Sequence, residues 1–207
     1  MSRIETLEQL RAVLGEPRQA TKAKVLPRLD AQASDFIRAS AFAILSTVSK
    51  DGVVEASPKG DEPGFVRIEN ETTLLMPERA GNNLAFGLTN ILETGRVGLI
   101  FLKPRTGETL RITGRAEIFD DADLREKLGT AERPALLAIR IHVERCYFHC
   151  ARAMLRAKLW EPESWPPAQR ILFGKIIAPR VGGDEAMATA IDERVQTGYT
   201  TNLWRNQ

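Results

Sequence analysis

The chain has 207 residues, 43% hydrophobic and 27% charged, the balance of a globular protein able to bury one sizeable core, so one domain with terminal additions is expected. Its 29 lysines and arginines against 27 acids leave a net charge of +2, scattered rather than in blocks. That excludes a nucleic-acid binder driven by phosphate neutralisation and restricts any bound anion to a small one. No apolar run approaches the ~18 residues of a membrane span, and the N-terminus MSRIETLEQL has no apolar signal core. Only two cysteines occur, Cys146 and Cys150. They fit a reducing compartment, so a cytoplasmic protein with neither membrane nor nucleic acid as partner is expected.

In chain order, the first 40 residues predict two helices. IETLEQLRAVLG carries Ile4, Leu7, Leu10 and Leu14 on one stripe, and DAQASDFIRAS opens with Asp30 as its cap. A polar linker, EPRQATKAKVLPRL, joins them. From Ala41 the period shortens to two. AFAILSTVS and VVEASP form a hairpin about Asp51-Gly52, and FVRIE and TTLLMP form a second about Asn70-Glu71. PERAGNNLAFGLTNIL then carries Leu84, Leu88, Ile91 and Leu92 on one helical stripe, which predicts a helix starting near Asn82 or Asn83. RVGLIFL and TLRITGRAEIF are two long strands, and DDADLREKLG is a short helix with an acidic first turn. ALLAIRIHVERCYFH alternates strictly, with Leu137, Ile139, Ile141 and Val143 on one face and Arg140, His142 and Glu144 on the other, as a half-buried strand does. The last third, CARAMLRAKLW, PAQRILFGKII and GDEAMATAIDERVQTG, reads as helical.

These elements predict a mainly β, α+β fold: about six antiparallel strands in a small barrel with one inserted helix. The N-terminal helical extension covers 1–40, the barrel 41–150 and the helical C-terminal region 151–207.

The chain lacks G-x-G-x-x-G after a strand, G-x-x-x-x-G-K-[ST], H-E-x-x-H and G-x-S-x-G, so dinucleotide-fold, P-loop, zincin and hydrolase readings have no support. His142, Cys146, His149 and Cys150 cluster, but side chains alternating along one strand do not converge on one ion or form a nucleophile pair, so packing is the better reading. The helix start after the second hairpin is more informative. Free N-H groups, the guanidinium of Arg79, the amides of Asn82 and Asn83 and the freedom of Gly81 suit a phosphate. The competing reading is an asparagine N-cap beside a solvated arginine. Ser57, Pro58 and Lys59 end the second strand, and Thr109 and Arg111 share one face of a later one. Three strand ends thus offer polar groups near one helix start, unless Lys59 and Arg111 are ordinary outward charges.

Taken together, AILSTVSKDGVVEASPKGD, GFVRIENETTLLMPERAGNN, LTNILETGRVGLIFLKPRTGETLRITGRAEI and CYFHCARAMLRAKLWEP resemble the pyridoxamine 5′-phosphate oxidase-related FMN-binding proteins, the split β-barrel flavoproteins. The resemblance spans about Ala41 to Trp165. It implies a homodimer with FMN in the subunit interface, Arg79, Asn82, Asn83 and Asn90 at the phosphate and ribityl chain, and Ser57, Pro58 and Lys59 along the flavin ring. Thr109 and Arg111 would lie close by, and Arg156, Lys158 and Trp160 would come from the second subunit. The implied activity is an FMN-dependent oxidoreductase acting on a small-molecule redox substrate, with NADH or NADPH as a reductant and Lys59 or Arg111 as the positive group near the flavin N1. His149 is the one candidate acid or base, against a packing role. The alternatives are a dimeric barrel that binds flavin, deazaflavin or tetrapyrrole without catalysis, and a barrel that has lost its cofactor. NNLAFG after Gly81 departs from the family pattern, which often places a base and an acid there, and the tail TTNLWRNQ departs from the vitamin B6 enzymes.

Overall fold

The computed structural model describes residues 2–201, 203 and 204. Of the tail TTNLWRNQ, residues 202 and 205–207 lie outside the described residues. Three helices come first: α1 (Leu7–Leu14), α2 (Gln19–Ala23) and α3 (Ala31–Arg38). Thr6 and Gln9 form a reciprocal capping box on α1, and the Asp30 carboxylate accepts from the Ala33 N-H to cap α3. The segment expected as a plain linker holds α2 and an isolated bridge from Leu26 to Cys146, so it is tied down rather than loose.

Seven strands follow: β1 (Phe42–Val48), β2 (Val54–Gly60), β3 (Arg67–Asn70), β4 (Thr73–Glu78), β5 (Arg96–Leu102), β6 (Thr109–Phe119) and β7 (Leu137–His149). The strands number seven where about six were expected, although each falls on a segment read as a strand; β3, the shortest at four residues, pairs with β4 alone. Helix α4 (Phe86–Thr94) is inserted between β4 and β5, and α5 (Ala122–Leu128) between β6 and β7. All pairings are antiparallel, in the order β2-β1-β5-β6-β7-β4-β3.

Alternation sets the core. Ala43, Leu45, Leu74, Met76, Val97, Leu99, Phe101, Leu110, Ile112, Ile139 and Ile141 point inward, joined by Phe36 and Ile37 of α3 and Ile91 of α4. β4 is buried on both faces, since Leu75 packs separately with Leu128 of α5 and with Ala135 and Ala138. The register between β6 and β7 shifts at Thr113/Gly114, where Glu144 is an extra residue that bulges β7, and there a Cβ on Gly114 would run into the His142 carbonyl. The edge strands β2 and β3 do not pair with each other. The barrel is therefore split, and side chains rather than a ladder join the ends of β2 and β4.

The C-terminal region is less helical than its sequence suggests. α6 spans only Arg152–Arg156, α7 Phe173–Ile177 and α8 Glu185–Thr201, with residues 166–172 irregular. α7 crosses α8 closely enough that a Cβ on Gly174 would collide with the Ala188 carbonyl, and Asp192 accepts from the Gly174 N-H at 2.8 Å. No helix among the described residues is long and apolar enough to cross a membrane.

Candidate functional site

The register of β1 and β2 divides the first group of site residues. Ser57 and Lys59 pair with Leu45 and Ala43, which face the core, whereas Pro58 pairs with Ile44 on the outer face. Lys59 consequently reaches across the split, and its ammonium donates to both carboxylate oxygens of Glu78, at 2.8 and 2.7 Å. Each of these side chains is less than one-fifth exposed.

Arg79 sits beside this pair. Its Nε and Nη2 donate to one carboxylate oxygen of Asp61 at 2.8 and 2.6 Å, Nη2 also to the Leu128 carbonyl at 2.9 Å, and Nη1 to the Arg133 carbonyl at 2.9 Å. The Asp61 side chain is only 3% exposed. A guanidinium has five N-H donors, so little of Arg79 remains for a ligand. Arg133 closes the cluster, 3.8 Å from Asp61 and 2.6 Å from Glu62, with its guanidinium 5.2 Å from the Trp204 ring centroid. The hydrogen bond to Arg133 holds the Glu62 carboxyl below its ordinary pKa, and the same bond raises that of Arg133. The cations of SPKGD and PER thus form a charge-matched seam. Its acids, Asp61 two residues after Lys59 and Glu78 next to Arg79, lie close to those cations in sequence, and that alternation of sign was the available clue to pairing.

The loop after Arg79 is exposed and strained. Asn82 accepts from the Leu84 N-H at 3.1 Å, closing an Asx turn, and Asn83 and Ala85 adopt positive φ of 60° and 54°. α4 starts at Phe86, later than Asn82 or Asn83, with no side-chain cap. The Asn82 side chain is turned to its own loop, and the helix begins only where an apolar face reaches the sheet. Asn90 is buried, and its Nδ2 donates to Thr47 Oγ1 at 3.1 Å, fastening α4 to β1.

On the outer face the ladder registers align Pro58, Ile44, Ile100, Arg111 and Tyr147 in one row across β2, β1, β5, β6 and β7. The next row carries Ala56, Ser46, Gly98 and Thr113. Strand spacing of ~4.8 Å places Pro58 about 14 Å from Arg111. Among the described residues Arg111 Nε and Thr113 Oγ1 are both buried without a hydrogen-bond partner, two unmet polar groups side by side on a largely apolar strip. Thr109, buried, lies on the same face opposite His149. Of the two candidates for a positive group at the flavin, Lys59 is neutralised by Glu78, and Arg111 alone keeps an unsatisfied donor.

Trp160 is held beside the β5–β6 loop, where its Nε1-H donates to the Thr106 carbonyl at 2.9 Å and Gly107 faces Ala151 so closely that a Cβ would sit 2.6 Å from it. Arg156 is exposed, and Lys158, at φ 50°, lies 3.9 Å from Glu161. The predicted residues therefore fall in separate places: the seam, the outer strip, the exposed loop, the core under α4, and the C-terminal segment. The four soft ligands separate as well. Cys146 is buried in the core, its thiol pushed up to about 11 chiefly by burial and further by Asp30, while Cys150 is exposed and His142 stands 3.4 Å from Glu117 on the outside.

Comparison with family profiles matches residues 29–150 to pyridoxamine 5′-phosphate oxidase, from Leu29 ahead of α3 to the end of β7. The chain belongs to the pyridoxamine 5′-phosphate oxidase family. Solved structures similar to this chain include the HupZ protein of Group A Streptococcus, 21% identical over 58% of this chain and 93% of that one, with a TM-score of 0.47. An FMN-binding protein from Syntrophomonas wolfei is 12% identical over 57% and 87%, TM-score 0.44. An F420 reductase is 16% identical over 58% and 98%, TM-score 0.40. No curated protein matches. The family match covers the split barrel and α3 but neither α1 nor the helices after β7.

Proposed function

We propose that this family member is an FMN-dependent oxidoreductase that works as a homodimer with FMN in the subunit interface. The supporting observation is the unmet pair Arg111 Nε and Thr113 Oγ1 on the outer strip. A buried donor without a partner costs about 1–3 kcal/mol, and a ligand carbonyl or anion set against it removes that cost. The strip's chemistry suits a flat aromatic ligand with one electron-rich edge: Pro58, Ile44 and Ile100 offer apolar surface, and Arg111 and Thr113 offer polar groups at one end. Bound FMN would supply the hydride-accepting ring and pass electrons to a second substrate or oxygen. Arg111 would stabilise negative charge on the reduced ring. Asn82, Asn83 and the open backbone of Gly81 would meet the ribityl and phosphate groups, with Arg79 and Lys59 shaping that loop through the seam. Trp160, Arg156 and Lys158 would approach from the second copy. NADH or NADPH is the proposed reductant, and the substrate a small molecule. The division into 1–40, 41–150 and 151–207 and a cytoplasmic setting, consistent with two unpaired cysteines, belong to the same reading.

The test is direct. The purified protein is expected to be yellow, or to become so with added FMN, and to bleach on anaerobic addition of NADH or NADPH. A colourless protein that takes up no FMN overturns the reading. A yellow protein that no nicotinamide bleaches supports instead a barrel that binds flavin without this reductase activity.

A further inference from the structure

The two ends of the chain leave apolar surface that its own core does not cover. A compact monomer of 23.0 kDa exposes about 9,600 Å² by the size scaling of folded proteins. This chain exposes 14119 Å², a surplus of about 4,500 Å². The surplus exceeds one protomer's share of even a large obligate dimer interface, about 2,500 Å².

α1 is the clearest contributor. It has a complete capping box, yet none of its residues is buried. Leu7, Val13 and Leu14 are each at least two-thirds exposed, with Ile4 and Leu10 flanking them on the same half of the helix. An eight-residue helix is not stable alone in water, so a preserved cap and an uncovered stripe imply a partner surface. The root of this arm is fixed. Leu26 exchanges both backbone bonds with Cys146 at 3.0 and 2.8 Å, and the Lys24 ammonium donates to the Phe148 carbonyl at 3.0 Å and lies 5.5 Å from the Tyr147 ring centroid. Tyr147 is the cross-strand neighbour of Arg111, so the arm departs from the edge of the outer strip. The excess of base in the arm, Arg18, Lys22 and Lys24 against Glu16, lies at its root, whereas the stretch through α1 is balanced, Arg3 and Arg11 against Glu5 and Glu8. It therefore lacks the basic polar face that lipid headgroups or nucleic acid would select.

We infer that α1 is an exchanged arm, whose stripe of Leu7, Leu10, Val13 and Leu14 docks on a second copy of this chain. This deepens the dimer proposed above and adds to it a segment outside the family match.

The test uses the full chain carrying Leu7→Glu, Leu10→Glu and Leu14→Glu together. Since α1 buries nothing within its own protomer, the variant is expected to keep the thermal transition of the barrel at low protein concentration. Sedimentation velocity over a dilution series is expected to show a wild-type dimer and at least a tenfold weaker association in the variant. Hydrogen exchange is expected to show α1 amides protected in the wild-type dimer and unprotected in the variant. A wild type that stays monomeric, a variant that associates as tightly as wild type, or α1 amides that exchange at the unstructured rate in the dimer would each overturn the arm. Visible spectra of the same samples separate the two readings. Flavin bound to a dimer indifferent to α1 defeats the arm alone, and an α1-dependent dimer that takes no flavin supports the arm while defeating the cofactor assignment.

Discussion

The seam and the outer strip each carry cations that a sequence reading assigns to a ligand, and the structure treats them oppositely. At the seam Lys59 and Arg79 meet Glu78, Asp61 and two backbone carbonyls, so their charge and most of their donors are spent inside the protein. On the strip Arg111 has no ion pair among the described residues and keeps a buried Nε unmet, with Thr113 Oγ1 unmet beside it. Donors already bonded inside the protein are closed to a ligand, whereas unmet ones stay open to one, although Arg125 Nε and Arg140 Nε are also buried and unmet on side chains paired to Asp120 and Glu69. Charge alone does not distinguish the two; the accounting of donors does.

The largest effect that sharpens this contrast is expected at Asp61. Asp61→Ala leaves Arg79 partly buried and unpaired, a change that costs ~3–5 kcal/mol, read as a lower urea midpoint with an unchanged slope. Arg79→Ala should weaken the fold in the same direction and lower FMN and riboflavin binding by equal factors. A selective loss of FMN would return Arg79 to the phosphate and break the comparison. Next comes Arg111→Gln, which removes a charge-assisted bond of ~1.5–3 kcal/mol and should weaken FMN roughly 10- to 100-fold while leaving the urea midpoint within error. Unaltered FMN affinity would take the ring off the strip.

A smaller loss is expected from Asn90→Ala, which unfastens α4 from Thr47 at a cost of ~1–3 kcal/mol. Its checkable sign is faster hydrogen exchange along 86–94, with the β5–β6 amides unaffected. The smallest effect lies at Cys146. Burial raises its folded-state thiol from 9.0 to about 11, so this contribution to stability is intact below about pH 9 and is lost as pH rises toward 11. Alkylation of the native protein near pH 8 should therefore label Cys150 and spare Cys146. Equal labelling of both would show that the core opens at β7.

Much of the fold was legible because it rests on local period. Strict alternation in ALLAIRIHVERCYFH and the Asp51-Gly52 turn locate β7 and the first hairpin, and Asp30 marks the start of α3. The start of α4 was misplaced because Asn82 and Asn83 look like caps, yet the chain spends them on an Asx turn and a left-handed residue before the helix begins. All seven strands, the brief and bulged β3 included, fall on segments read as strands, so the expected total of about six understated what the period showed. PAQRIL fails to become helix although its composition permits it, since helices of that length depend on tertiary burial that this segment does not receive.

The residue types of the site were legible too, but their partners were not. By itself the sequence determined the alternating strands, the inward faces and the family, because these follow from periods of two and 3.6 and from motifs contiguous in the chain. Only the tertiary structure decided that Ser57 and Lys59 face away from Pro58's side, that Arg79 belongs to Asp61, and that Arg111 is left wanting. Those outcomes depend on which strand ends meet across the split. A guanidinium is free or spent according to groups that lie 18 to 54 positions away in the chain, as Asp61 and Arg133 do from Arg79.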